Sequence, residues 1–219
     1  MGYALAKGLS CCLVGERVLF LDLCRDRYFC LRPAQEIAFR ALLDGTGPGA
    51  TILDQLIASG TLRPVAAEAL PATCVAPPAA VSSLVDERDE SRSRRHLPRA
   101  FWRLAASSIA LRGKRLEQVV DAFKHAKVRQ KRTSSSHALD LVAVARAYRT
   151  SALFVSLHDK CLLRSIAVAR HLVDLGAAPD LVFGVRLRPF KAHCWVQLGN
   201  GLILDRIDEV RLFKPILVV

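Results

Sequence analysis

Apolar and polar residues alternate through "RVLFLDLCRDRYFCL", residues 17–31, with a charged break at Arg25-Asp26-Arg27. Alternation with this break predicts a β-hairpin. The stretch before it, "MGYALAKGLSCCLVG", can supply another strand. From Pro33 the period lengthens. In "PAQEIAFRALLDG" the apolar residues Ile37, Phe39, Ala41 and Leu42 fit a helix opened by proline and ended at Gly45. "TILDQLIASGTLRP" sets Ile52, Leu53, Leu56 and Ile57 on one helical face, with Thr51 as the expected cap and Gly60 as the stop.

Strands followed by helices make residues 1–70 a small α+β unit of the winged-helix kind. Residues 71–100 are rich in Pro, Ala, Ser and mixed charge, which predicts a linker. Its "RSRR" run fits a solvated tether. From Phe101 to Val219 the chain reads as a second domain. "FWRLAASSIALRGKRLEQVVDAF" is helical with a break at Gly113, and "KHAKVRQKRTSSS" reads as a basic loop. "HALDLVAVARAYRT" is helical, with Leu139, Val142, Ala145 and Ala147 expected to face inward. "DKCLLRSIAVARHLVDLG" is a further helix. The strand-like segments "LVFGVRLR", "AHCWVQL" and "LILDRI" follow.

Composition narrows the class. Of the 219 residues 52% are hydrophobic, which fits a globular chain. No apolar run reaches the ~18 residues of a membrane span. The first residues lack a sustained apolar stretch, so no signal peptide is expected and the expected location is cytoplasmic. The net charge is +12. It is zero over residues 1–80, +9 over 81–150 and +3 over 151–219, so the excess sits mid-chain. The seven cysteines, at 11, 12, 24, 30, 74, 161 and 194, form no C-x-x-C and no zinc spacing. No metal or other cofactor is expected, and most of these thiols read as core filler.

Cys161 stands apart. In "DKCLLRSIAVARHLVDLG" the residues Leu162, Ile166, Ala169 and Val173 recur at helical spacing, with Leu163 and Leu172 widening the stripe. Asp159 is the expected N-cap, which puts Cys161 in the first turn. Unpaired N–H groups and the helix dipole there favour a thiolate. The competing reading is a structural cysteine at a helix start.

"KAHCWVQLGNGLILDRI" supplies possible partners. A three-residue turn at Gly199-Asn200-Gly201 would put Leu198 opposite Leu202 and Trp195 opposite Asp205. His193, Trp195 and Asp205 would then share one face, with Asp205 diagonal to His193 at about 5–8 Å between backbones. A two-residue turn would carry the acid into the apolar face, where an unpaired carboxylate is costly. His193 can take a proton from the Cys161 thiol while Asp205 orients the ring. Cys194 points to the core face and reads as structural.

These motifs resemble those of the bacterial transglutaminase-like cysteine peptidases of lasso-peptide biosynthesis, the B proteins. The resemblance lies in Cys161-Leu162-Leu163-Arg164-Ser165, in Ala192-His193-Cys194-Trp195-Val196 and in the downstream Asp205. It implies a papain/transglutaminase-like domain, with helices packed on an antiparallel sheet, over residues 101–219. It also implies a catalytic triad of Cys161, His193 and Asp205 that removes a leader peptide from a ribosomally made precursor. The implied partners are that leader and an ATP-dependent, asparagine-synthetase-like cyclase that closes the ring on the freed amine.

The N-terminal unit is similar to the precursor-recognition domains of such systems, which bind the leader as an added strand. The similarity points to Tyr28, Phe29 and Leu31 on the sheet and to Leu53, Leu56 and Ile57 on the helix. Two alternatives remain at this level. An acyl-transferring transglutaminase would use the same three residues. A winged-helix DNA-binding regulator with a degenerate second domain is disfavoured, because "TILDQLIASG" has no basic residue to meet phosphate.

Overall fold

The computed structural model describes residues 2–46, 49–66, 68–85, 95–131, 140–152 and 161–219. The chain divides into two compact units, Met1–Val75 and Ala76–Val219.

In the first unit β1 (Gly2–Leu5) pairs antiparallel with β5 (Leu62–Val65). The strands β2 (Leu9–Val14), β3 (Arg17–Asp22) and β4 (Arg27–Cys30) form an antiparallel sheet in that order. The β3–β4 turn is held by the Asp22 carboxylate, which accepts the N–H groups of Cys24 and Arg25, each at 3.0 Å. Helices α1 (Pro33–Leu43) and α2 (Ala50–Ala58) follow. Phe20 of β3 stacks on Phe29 and meets Phe39 of α1 edge-on, both at 5.0 Å. Val18, Leu42 and Leu56 complete this core. Buried Glu36 ties α1 to β3, accepting the Val18 N–H at 2.6 Å and pairing with Arg17.

The helices end where glycine can adopt a left-handed backbone, at Gly45 and Gly60. The expected Thr51 cap is corrected: Gly49 is the N-cap, with extended backbone and no side-chain cap hydrogen bond. Thr51 therefore lies inside the first turn. The segment expected to be a linker carries structure at several points, and α3 already begins within it at Leu97. The Cys74 N–H donates to the Cys11 carbonyl at 2.7 Å, covering the outer edge of β2. Ser82–Ser83 forms strand β6 of the second unit.

The second unit packs helix α3 (Leu97–Gly113) and helices α4 (Leu116–Lys131), α5 (Leu141–Ala152) and α6 (Cys161–Asp174) with a five-stranded sheet. The sheet order is β10 (Lys214–Val218), β7 (Asp180–Arg186), β8 (Lys191–Leu198), β9 (Gly201–Leu202), β6. All pairings are antiparallel except β6 with β9. A single turn, α7 (Ile207–Val210), precedes β10.

Helix α6 contacts β7, β8, α3 and α4, and is buried continuously from Ser165 to Ala169 and again from His171 to Val173. Its first residues Leu162 and Leu163 are only half-buried, although the apolar stripe predicted them inward. An element surrounded by neighbours has no single core face. In α5, Ala145 and Ala147 are buried and Val142 is half-buried, while Leu139 and Asp159 lie outside the described residues.

The expected basic loop is also corrected, since residues 124–131 continue α4. No glycine or proline interrupts this run, and Lys124 and Lys127 have partners. Lys127 donates to Asp180 at 2.6 Å and to the Val219 oxygen at 3.1 Å, and Lys124 pairs with Asp121 at 3.3 Å.

His171 of α6 is fully buried, and neither ring nitrogen has a partner among the described residues. His96 packs against it at 5.3 Å and Tyr148 at 5.8 Å, with Arg99, Arg103 and Asp174 nearby. Burial, then the neighbouring cations, push its pKa from 6.5 down to about 4. Between these values the unfolded chain binds the proton and the folded chain does not. Stability is therefore lost as pH falls from about 6.5 towards 4, by on the order of 3 kcal/mol from this residue. Denaturant midpoints across this range should show the loss, and His171→Phe should remove most of it.

Candidate active site

The site forms where the first turn of α6 meets β8. Cys194 pairs across β7 with Phe183. On its other side β9 has already ended, and α6 takes that place. The Cys194 N–H hydrogen-bonds the Cys161 sulfur, and the Cys194 carbonyl accepts the Ser165 hydroxyl at 2.7 Å. The strand edge thus fixes the thiol by backbone contacts.

His193, one residue earlier on β8, shares a side-chain hydrogen bond with Cys161. Its Nε2 lies 2.8 Å from the Asp205 Oδ1. With Nε2 donating to the carboxylate, Nδ1 is the nitrogen left for the thiol. The imidazole is braced by Phe213, with ring centroids 5.2 Å apart, and by Trp195 at 6.1 Å.

Asp205 reaches His193 by a route different from the expected one. The turn is the two-residue Gly199-Asn200, with Leu198 opposite Gly201 and Gln197 opposite Leu202. Gly199 takes the left-handed backbone that such a turn requires. The three-residue register is therefore corrected, and so is the last strand, which ends at Leu202. Residues 203–205 bend out of the sheet. The bend frees the acid from strand alternation, which removes the reason for rejecting the shorter turn. Asp205 is 3% exposed, and the Ser83 hydroxyl holds its backbone carbonyl at 2.8 Å.

The electrostatics follow from these contacts. Burial raises the Cys161 pKa, but the His193 hydrogen bond, the N–H groups of Cys194 and Leu162 and the His193 charge outweigh it. The net shift is downward. Burial lowers the His193 pKa, and the bonds to Asp205 and Cys161 overcome that, pushing it up to about 9. Together these shifts favour a thiolate–imidazolium pair. Cys194 differs, because full burial raises its thiol pKa well above the ordinary value.

Two polar contacts here were not read from sequence. Arg164 Nη2 lies 3.4 Å from Asp205 Oδ1, and Ser165 bonds β8 as described. Their spacing of three and four from Cys161 places both on the helix side that carries the thiol, which is the signal that could have found them.

Glycine is required at 184, opposite His193. A Cβ there would lie 2.5 and 2.8 Å from ring atoms of Trp195 and 3.0 Å from Phe213 Cβ. Gly184→Ala should lower stability by about 1–3 kcal/mol through overpacking, read as a shift in denaturation midpoint.

In the first unit, Leu56 and Leu31 are core residues, 0% and 8% exposed. Tyr28, Phe29, Leu53 and Ile57 are half-buried, the last three at the margin of that core. Strand β4 pairs only with β3 among the described residues. Also among the described residues, no helix is long and apolar enough to cross a membrane, and no His, Cys, Asp or Glu cluster could hold a metal ion.

No curated protein and no solved structure matches the chain. Residues 102–218, more than half of the sequence and including Cys161, His193 and Asp205, match the model of the transglutaminase-like superfamily. Such a match is consistent with a cysteine peptidase or an acyltransferase, and the chain belongs to that superfamily.

Proposed function

We propose that the protein is a cysteine peptidase that binds the leader of a ribosomally made lasso-peptide precursor and removes it before macrolactam closure. The observation that carries the catalytic part is the arrangement of Cys161, His193 and Asp205, with the thiol shifted towards thiolate and the imidazole towards imidazolium. The lasso assignment is supported by the resemblance of the three motifs to the B proteins.

The Cys161 thiolate attacks the scissile carbonyl. The backbone N–H of Cys161 is a candidate donor to the resulting oxyanion. His193 gives its Nδ1 proton to the departing amine, which becomes the new N-terminus of the core peptide. The leader remains as a thioester on Cys161. His193 then takes a proton from water, hydroxide adds to the thioester, and the leader leaves as a free acid while the thiol is restored.

The first unit is assigned to leader recognition. The edge of β4 that pairs with no further strand among the described residues can accept an extended peptide. Alternate side chains of that peptide would meet Phe29, Leu53 and Ile57, while Tyr28 lies on the opposite face of the strand. Leu31 and Leu56 support this groove from the core. The freed core peptide would pass to an ATP-dependent, asparagine-synthetase-like cyclase.

An acyl transferase would use the same thioester with an amine in place of water. Product mass separates the two. Incubation with a candidate precursor should yield free leader acid and a core peptide with a new amino terminus. An isopeptide cross-link would instead establish the transferase.

A further inference from the structure

The buried carboxylate of Asp205 is shared. Its Oδ1 accepts from His193 Nε2 at 2.8 Å and from Arg164 Nη2 at 3.4 Å. Arg164 stands one helical turn after Cys161 on α6. Contacts therefore run from Cys161 to His193, to Asp205, to Arg164 and back along the helix to Cys161. The Arg164 Nε is buried and has no partner among the described residues, so the acid is the contact that anchors this guanidinium.

We propose that Arg164 is a positioning residue, which holds the Asp205 carboxylate against His193 and so maintains the reactive form of the Cys161 thiol. This inference rests on the peptidase reading, or equally on the acyltransferase reading, of the same site.

The physical need arises from turnover. His193 passes between imidazolium and neutral imidazole. In the neutral step a carboxylate that is 3% exposed would lose its counter-charge, at a cost that favours rearrangement. A guanidinium does not deprotonate, so Arg164 keeps a positive partner on Asp205 through both steps. Its attachment to α6 also couples the orienting acid to the helix that carries the nucleophile, which limits drift between them. Lysine would keep the charge without the planar donor fork.

The test compares Arg164→Gln and Arg164→Lys with the wild type. Iodoacetamide labelling of Cys161 at pH 6, normalised to exposed Cys30 and read by peptide mapping, requires no peptide substrate. Arg164→Gln should label Cys161 more slowly, by up to about tenfold for each unit by which the thiol pKa rises. Arg164→Lys should recover part of the difference. With a cleavable peptide, kcat should fall and KM should stay unchanged. An unchanged labelling ratio in folded Arg164→Gln, or an effect confined to KM, overturns the proposal. If Arg164→Gln does not fold, Arg164→Lys decides: intermediate labelling supports the role, and labelling equal to wild type overturns it. A wild-type protein without preferential Cys161 labelling would instead refute the site reading itself.

Discussion

Cys161→Ala should lower cleavage of a precursor by about 10⁴-fold or more, because the proposed mechanism carries the acyl intermediate on that sulfur. Cys194→Ala should stay within about threefold of wild type. The two thiols lie close together, yet their environments differ. Cys161 sits at the helix tip, half-exposed, accepting backbone N–H groups and facing an imidazole. Cys194 is buried, with its thiol pKa far above the working range. Alanine at 194 keeps the backbone N–H and carbonyl that hold Cys161 and Ser165, so it should preserve the local geometry. The check is precursor cleavage by each variant, followed by mass spectrometry, with folding confirmed for both. Normal cleavage by Cys161→Ala would rule out the mechanism.

Asp205→Asn should reduce kcat by about 10²–10⁴-fold, the range expected when an orienting acid loses its charge. The asparagine can keep a contact to Nε2, but it no longer stabilises the imidazolium. Since Asp205 is the leading cause that raises His193 to about 9, its loss moves that pKa down towards 6.5. The imidazolium is then lost at lower pH, and the alkaline limb of the activity profile should move down by up to about two units. The acid limb, set by the thiolate, should move up, because a less charged ring stabilises it less. The active window therefore narrows from both sides. Imidazole NMR of His193 in the wild type and the variant measures the larger of these shifts without substrate.

Several parts of this structure were legible in the residues. The apolar run from Val18 to Leu21, buried on both faces, marks β3, and the glycines at 45, 60 and 176 mark helix ends, each with positive φ. Periodicity from Leu162 to Val173 located α6, although it could not show that the helix is enclosed on several sides. Strand alternation predicts the proximity of His193 and Asp205 through a register that the hairpin does not adopt. Apolar Ile203 and Leu204 continue the strand pattern after Leu202, so no periodicity signals the bend that delivers the acid. The short α7 in "IDEV" is hidden for the same reason. Helical residues 124–131 looked like a loop because their charges suggested solvent. Lys127 is instead held by Asp180, a contact 53 residues distant that no local pattern encodes. Leu31 and Leu56 fit a binding surface and a core equally well as letters, and only packing separates the two.

The central claim is that pairing with His193 shifts Cys161 towards thiolate. Limited labelling of the intact protein with iodoacetamide at pH 6, followed by mapping of all seven cysteines, tests it most directly. The account predicts that Cys161 carries the first label, ahead of Cys30 despite the greater exposure of Cys30, and that His193→Ala abolishes this preference. Labelling of Cys161 no faster than Cys30, or a preference that survives His193→Ala, would contradict it.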